Sequence, residues 1–358
     1  MGRLEARIMA RADAVREHPD FPWLSLDDPA GLEAFLKQRG WIASAESVRG
    51  CEKPGEGNMN LTIRVRTDRR SMIVKQARPW VEKYDHIPAP WDRIQYEIRF
   101  YERIARIPAV ANRMPRLLGV DTEACALILE DLAGAQSLAS LYSGEALAEI
   151  EVRHLAEYLG ALHQATRGPV DPAFKNWAMR QLNHQHIFEV PLAENNGLDL
   201  EQFECGLTAA AEELRHDAVY RGLIRYAGER YLGAGHVLVH GDFFPGSWLR
   251  TSTGIFVIDP EFCFYGDAEF DLGCAIAHLR FAQQPRECAE VFLQAYAEHP
   301  GTGNFQSSLL TCFAAAEVMR RLIGVAQLPL GALGVSRAEL LDRSRRAIID
   351  QSWEELWN

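Results

Sequence analysis

Apolar positions change their period twice along this chain. Residues 1–40 read as helical. Leu24-Ser-Leu-Asp-Asp-Pro-Ala-Gly-Leu-Glu-Ala-Phe-Leu36 places the cap-type residues Asp27 and Asp28, with Pro29 suited to a first turn, ahead of an amphipathic segment. From about residue 47 the pattern becomes strand-like. Leu61-Thr-Ile-Arg-Val-Arg alternates, Thr67-Asp-Arg-Arg makes a turn, and Met72-Ile-Val-Lys75 predicts a second strand. Residues 92–106 carry Ile94, Ile98, Tyr101 and Ile104 at helical spacing, and 115–120 and 125–130 are two more short strand candidates. After Gly134 the pattern is mostly helical. Residues 145–166 place Leu155, Leu159 and Leu162 on one face, and 200–232 predict a second long helical stretch. Strand-like segments return only at Val237–Val239 and Ile255–Ile258, and helices dominate again from 270 onward.

The expectation is an α+β chain in three parts: an N-terminal helical extension (1–40), a small lobe of antiparallel sheet plus helix (41–132), and a larger, mostly helical lobe (133–358). The junction near 131–135 matters because ligands favour clefts between lobes.

Composition narrows the classes. The chain has 358 residues, 47% hydrophobic and 24% charged, the balance of a globular protein with a sizeable core. Its formal net charge of -11 argues against nonspecific binding to nucleic acid or anionic membrane. The seven cysteines are scattered with no CxxC pair, so a disulfide framework or structural zinc site is not expected, and a reducing cytoplasm fits best. No apolar signal region and no run long enough to span a bilayer is found.

The candidate chemistry lies at strand ends. His240-Gly241-Asp242-Phe243-Phe244-Pro245-Gly246-Ser247 sets Asp242 on a Gly/Pro-rich loop, and a short apolar strand then delivers Asp259 and Glu261. Phosphoryl transfer needs carboxylates so arranged, one to accept a hydroxyl proton and others to hold Mg²⁺ against ATP phosphates. Asp242 is the candidate base, Asp259 the main Mg²⁺ ligand, and Glu261 a second carboxylate near metal or substrate. The plain alternative makes both aspartates turn and cap residues. Gly55, Gly57, Asn58 and Asn60 lie between two strand candidates, either cradling phosphate or forming a hairpin turn. Lys75 ends a strand and could reach phosphates, with Glu97 on the following helix as its partner; singly, each reads as a surface charge, and it is the order of the motifs that favours the pairing. Backbone groups around Glu130 and Leu132 could pair with an adenine edge, or serve only as a linker. Arg320 and Arg321 point about 100° apart on a helix, able to bind hydroxyls or spread phosphate charge, or simply to form a solvated face. Asp271 reads as a helix cap or a buried support for the HGD loop, and His163 as a core histidine. His184 and His186 are too isolated to indicate a metal site.

Together these motifs resemble the aminoglycoside-phosphotransferase-like kinase superfamily, and within it the 5-methylthioribose kinases. The likeness runs from about residue 45 to 327. GEGNMNL (55–61), VKQARPW (74–80), IDPEFCFYG (258–266), FDLG (270–273) and MRRLIGVA (319–326) are similar to that family's glycine loop, strand lysine, metal loop and twin-arginine helix. Ser247 stands where the superfamily has asparagine, as in the methylthioribose kinases, which implies a place near the metal. Phe244 departs from the family's usual histidine and Phe243 from its leucine, which bears on the acceptor.

The resemblance implies a protein-kinase-like bilobal fold and transfer of the ATP γ-phosphate to a small-molecule hydroxyl, most closely that of methylthioribose. It also implies Asp242 as base, Asp259, Glu261 and Ser247 at the metal, Arg320, Arg321 and Phe244 at the acceptor, and a homodimer as a state the family allows. The alternatives are an aminoglycoside, macrolide, amino alcohol or homoserine acceptor in the same fold, or an ATP-binding pseudokinase. Retention of Lys75, Glu97, Asp242 and Asp259 argues against the last.

Overall fold

The computed structural model describes residues 11, 13–55, 57, 59–330 and 334–358. These form two compact units. One comprises the described residues through Arg106 together with Met114–Ala135, the other Ile107–Arg113 with the described residues of Gln136–Asn358.

In the first unit, helix α1 (Pro29–Gln38) starts where Asp28 accepts a hydrogen bond from Gly31 N at 2.9 Å and Pro29 fills the first turn. Strands β1 (Val48–Glu52), β2 (Leu61–Thr67) and β3 (Ser71–Gln76) follow, then a small hairpin of β4 (Trp80–Val81) and β5 (Tyr84–Pro88). Helix α2 (Arg93–Ile104) precedes β6 (Leu117–Asp121) and β7 (Ala126–Glu130). The antiparallel sheet runs β1-β2-β3-β7-β6.

Its register decides what each face carries. Ile63 pairs with Val74 and Val65 with Met72, and these side chains pack with Leu32, Phe35 and Leu36 of α1. Because side chains alternate along a strand, Lys75 points away from that core. Gln76 stays on the core side, where its amide accepts from Leu24 N and donates to the Pro22 and Ala124 carbonyls, tying the segment before α1 to the sheet.

The second unit is mostly helical. Helix α3 (Pro108–Ala111) and strand β8 (Gln136–Ser137) lead into α4 (Glu149–Thr166), α5 (Trp177–His184), α6 (Leu207–His216) and α7 (Ala218–Leu232). Four short strands follow: β9 (Val237–Val239), β10 (Trp248–Thr251), β11 (Gly254–Val257) and β12 (Phe264–Gly266). They form a β11-β10-β8 sheet and a β12-β9 ribbon. Helices α8 (Ala268–Phe281), α9 (Arg286–Ala297), α10 (Ser307–Ile323) and α11 (Arg337–Asp350) complete the unit. Every residue of α8 is buried, as befits a helix that is apolar nearly all round. Gly273 lets α10 approach it: a Cβ there would lie 2.8 Å from the Leu310 carbonyl oxygen. Among the described residues no helix is long and apolar enough to cross a membrane.

Three expectations are corrected. Of the predicted N-terminal helical extension, residues 1–10 and 12 lie outside the described residues; 13–17 are helical, 18–28 are not, and the amphipathic helix begins at Pro29. The stretch 200–232 is broken at Asp217, which caps α7 by accepting from the Val219 and Tyr220 N–H groups. Strands in the second unit are not confined to two segments, since β10 and β12 pair with partners distant in sequence.

Leu36 is fully buried between α1 and the sheet. Leu36→Ala is expected to lower stability by about 2–5 kcal/mol, read as a reduced urea midpoint; an unchanged midpoint would show that α1 is not part of this core.

Candidate active site

Lys75 and Glu97 meet in the first unit. The Lys75 Nζ lies 2.7 and 2.9 Å from the two Glu97 carboxylate oxygens, with side-chain exposures of 3% and 0%. A pair this buried is no surface decoration, because each charge needs the other to offset its desolvation. The glycine loop adjoins it in sequence. A Cβ at Gly55 would meet no atom within 4 Å, and one at Gly57 only Thr62 Oγ1 at 3.9 Å, so packing does not require glycine at either position. Asn58 lies outside the described residues. Asn60 is buried and accepts from Arg93 Nε at 2.9 Å, while Arg93 also donates to the carbonyls of Met59, Arg78 and Pro90. Arg93 therefore anchors the end of the loop, a role its sequence context did not reveal. The Glu130 side chain pairs with Arg116 at the surface, and its N–H donates to the Arg116 carbonyl. The Leu132 carbonyl accepts from Ala135 N.

In the second unit the HGD loop is held by its backbone. Asp271, fully buried in the first turn of α8, accepts from His240 N at 2.7 Å, Gly241 N at 3.0 Å and His163 Nε2 at 3.2 Å. Of the two readings of Asp271, loop support is the one found; the position before the helix is Asp267. His163 is a core histidine, its other nitrogen 3.0 Å from Tyr296 Oη. Gly241 has φ +86, and a Cβ there would sit 2.3 Å from the Phe262 carbonyl oxygen, so the turn accepts only glycine. His240 Nε2 donates to the Ile258 carbonyl, leaving Nδ1 to face Asp242 N at 3.4 Å; burial lowers its pKa and keeps the ring neutral. Phe243 fills the space beneath, stacked 5.9 Å from Tyr158. Ser247 Oγ donates to the Asp242 carbonyl at 3.0 Å.

Asp259 sits in the left-handed region at φ 64, directly before Pro260. This is uncommon for a residue with a side chain and marks a strained turn. The turn is braced from a distance by Asn176, whose amide donates to the Glu261 and Cys263 carbonyls at 2.9 and 3.0 Å. Asn176 is itself left-handed, at φ 40. Glu261 is buried. Among the described residues no three His, Cys, Asp or Glu side chains group closely enough to hold a metal unaided, which includes His184 and His186.

The twin arginines are not a solvated face. Arg320 and Arg321 are 8% and 6% exposed, and both grip Glu317, which lies one turn earlier on α10. Arg321 Nε donates to Glu317 Oε1 at 2.5 Å and Arg320 Nη1 to Oε2 at 3.1 Å. Arg321 Nη2 lies 3.8 Å from Asp242 Oδ1, and its guanidinium sits 5.1 Å from the Phe244 ring centre. Asp242 keeps 24% side-chain exposure. Burial raises its pKa, opposed by Arg320 and Arg321. Burial also works against ionisation of Glu317, but the two guanidiniums and the His278 N–H outweigh it and hold Glu317 well below the usual carboxylate range.

The structure thus gathers Asp242, Phe244, Ser247, Arg320 and Arg321 around one loop, and separately joins Lys75 to Glu97. Sequence reasoning missed Glu317, although its spacing of three and four residues from the arginines is the signature of helical ion pairs. It had no signal for His278 or Tyr142, which reach the cluster through the tertiary fold alone.

Burial pushes the His278 imidazole down to about 4. In an unfolded chain it would take a proton near pH 6.5, so as pH falls from about 6.5 toward 4 the unfolded state gains protons that the folded state refuses. That contribution should remove on the order of 2–3 kcal/mol of stability across the window. His278→Gln should flatten the dependence in urea titrations at stepped pH; an equal slope in both proteins would show that His278 is not its source.

Comparison with known proteins agrees with the motif resemblance. The sequence model of the phosphotransferase enzyme family, APH, matches residues 50–305. A methylthioribose kinase of Exiguobacterium sibiricum is 29% identical over 247 residues, covering 65% of this chain and 61% of the relative. One from Bacillus mycoides is 24% identical over 276 residues, covering 74% and 68%. The chain therefore matches about three fifths to two thirds of the length of these curated relatives. A microcompartment-associated aminopropanol kinase shares the fold at 18% identity, with a TM-score of 0.56 over 90% of this chain and 99% of that one. The architecture is that of the α+β, protein-kinase-like phosphotransferases. With the family match spanning well over half its residues, from the glycine loop through the Asp259 turn, the chain belongs to the phosphotransferase enzyme family.

Proposed function

We propose that this chain is an ATP-dependent kinase that phosphorylates a hydroxyl of methylthioribose or a closely related sugar-like alcohol. The observation that carries it is Asp242: a partly exposed carboxylate on a loop fixed by main-chain hydrogen bonds, facing a buried arginine pair. The relatives at 24–29% identity support the acceptor class.

Asp242 takes the proton of the attacking hydroxyl. Burial raises its pKa, which strengthens it as a base. Arg320 and Arg321 orient the acceptor and offset charge on the phosphoryl oxygens, and Phe244 forms an apolar wall beside the base. Lys75, steadied by Glu97, binds nucleotide phosphates, the backbone of the Gly55–Asn60 loop covers them, and the Glu130–Leu132 backbone meets the adenine.

Asp259, Glu261 and Ser247 offer only hard oxygen donors, which suits Mg²⁺. With no complete protein cage among the described residues, phosphate oxygens and water would supply the rest of its shell. Bound there, Mg²⁺ would neutralise charge on the phosphates.

The paired arginines disfavour a polycationic acceptor such as an aminoglycoside. A cytoplasmic setting belongs to the same proposal, supported by seven cysteines with no disulfide among them. So does a homodimer, on the family resemblance.

Asp242→Asn should lower kcat by about 10²–10⁴-fold with ATP binding retained, measured by ADP release and by nucleotide titration. Turnover close to wild type would remove Asp242 from the mechanism. In the same assay, methylthioribose should outperform ribose, an amino alcohol and kanamycin. Preference for one of those would reassign the acceptor, and nucleotide binding with no turnover on any of them would favour a pseudokinase. Chelation should abolish activity and added Mg²⁺ restore it, whereas activity that survives chelation would rule out the metal.

A further inference from the structure

One fully buried group has no part in these roles. His278, on α8, has its Nδ1 2.6 Å from Tyr142 Oη and its Nε2 3.0 Å from Glu317 Oε1. The ionised Glu317 can only accept, so Nε2 carries the proton and Nδ1 accepts from the tyrosine hydroxyl. The two bonds select one neutral tautomer. They form a directed chain: Tyr142 O–H to His278, and His278 N–H to the carboxylate that holds both arginines. The Phe244 ring lies between the ends of this arrangement, 5.2 Å from the His278 ring and 5.1 Å from the Arg321 guanidinium.

We propose that His278 is a positioning residue: as a neutral donor it fixes the Glu317 carboxylate, which in turn holds Arg321 off the Asp242 carboxylate. The inference rests on the reading of Asp242 as base and of the arginines as acceptor-side groups.

The distances give the reason. Arg321 Nη2 stands 3.8 Å from Asp242 Oδ1, beyond hydrogen-bond length, while its Nε is held at 2.5 Å by Glu317. A guanidinium that closed on Asp242 would form a strong paired contact and occupy the lone pairs the base needs. Glu317 prevents this by competing for the cation, and it competes only while its own position is fixed. A protonated His278 would weaken that competition by claiming the Glu317 charge. Among Tyr142, Glu317, Arg320 and Arg321, the surrounding groups, burial keeps the imidazole neutral.

The test compares His278→Leu, which keeps bulk but donates nothing, with His278→Gln, which can still donate toward Glu317. His278→Leu should lower kcat by about 10–100-fold, the effect of a small misplacement at a reacting centre, with the KM for ATP within about twofold. His278→Gln should recover kcat to within roughly fivefold of wild type. Wild-type kcat in His278→Leu, or equal losses in both variants, would overturn the proposal. Should His278→Leu fail to fold, His278→Gln and ¹⁵N NMR of the wild-type imidazole decide. A neutral ring protonated at Nε2 and near-normal kcat in the Gln variant uphold the proposal, and a proton on Nδ1 or a large loss in that variant refutes it. Failure of the underlying reading is distinguishable, because Asp242→Asn would then turn over like wild type whatever His278 does.

Discussion

The second unit is organised around the charge of Glu317. Two guanidiniums on the same helix are taken out of water, and each would be prohibitive to bury without a partner. One carboxylate serves both, so the group of three carries a net positive charge, and Asp242 stands close to it. In a low-dielectric setting that surplus acts at short range, and it opposes the upward push of burial on the Asp242 carboxyl. The burial of α10 on all sides follows from the same demand: the charges must be enclosed for their balance to matter.

Position, by contrast, comes from the main chain. Asp271 grips the N–H groups of His240 and Gly241, His240 grips the Ile258 carbonyl, and Asn176 grips two carbonyls of the Asp259 turn. None of these contacts uses the side chains of Asp242, Asp259 or Glu261. The left-handed backbone at Gly241, Asp259 and Asn176 shows where the fold accepts local cost to aim a loop, as strained residues near active sites commonly do.

How much of this was legible depended on whether a local rule governed it. Strand alternation and helical spacing placed Lys75 at a strand end and Glu97 on a helix, and the order of the motifs, not periodicity, pointed to their pairing. The Asp28 cap and Pro29 start were readable for the same reason. Asp217 was overlooked inside an apolar stretch, though an aspartate there is itself a stop-and-start signal. Strand β10 was overlooked although it forms a tight hairpin with β11 that turns at Gly254; only its pairing with β8, more than a hundred residues away in sequence, had no local signal. Glu317 was missed even though helix spacing makes it readable: the rule pairs opposite charges three and four apart, and it stands at both separations from the arginines. Tyr142 and His278 were not readable at all: a turn and a helix far apart in sequence meet only once the core has formed.

Phe244 shows how a departure from a family pattern changes meaning once its neighbours are known. In sequence it replaces a polar ring beside the base with an apolar one. In the structure that ring lies close to both the Arg321 guanidinium and the His278 imidazole. The cation–π contact favours the charged arginine. A polar side chain at 244 would bring its own hydrogen-bonding demands into this space and compete for Glu317. The imidazole that does hydrogen-bond Glu317 comes instead from α8. The residue at 244 therefore bears directly on the Arg321 side chain it touches.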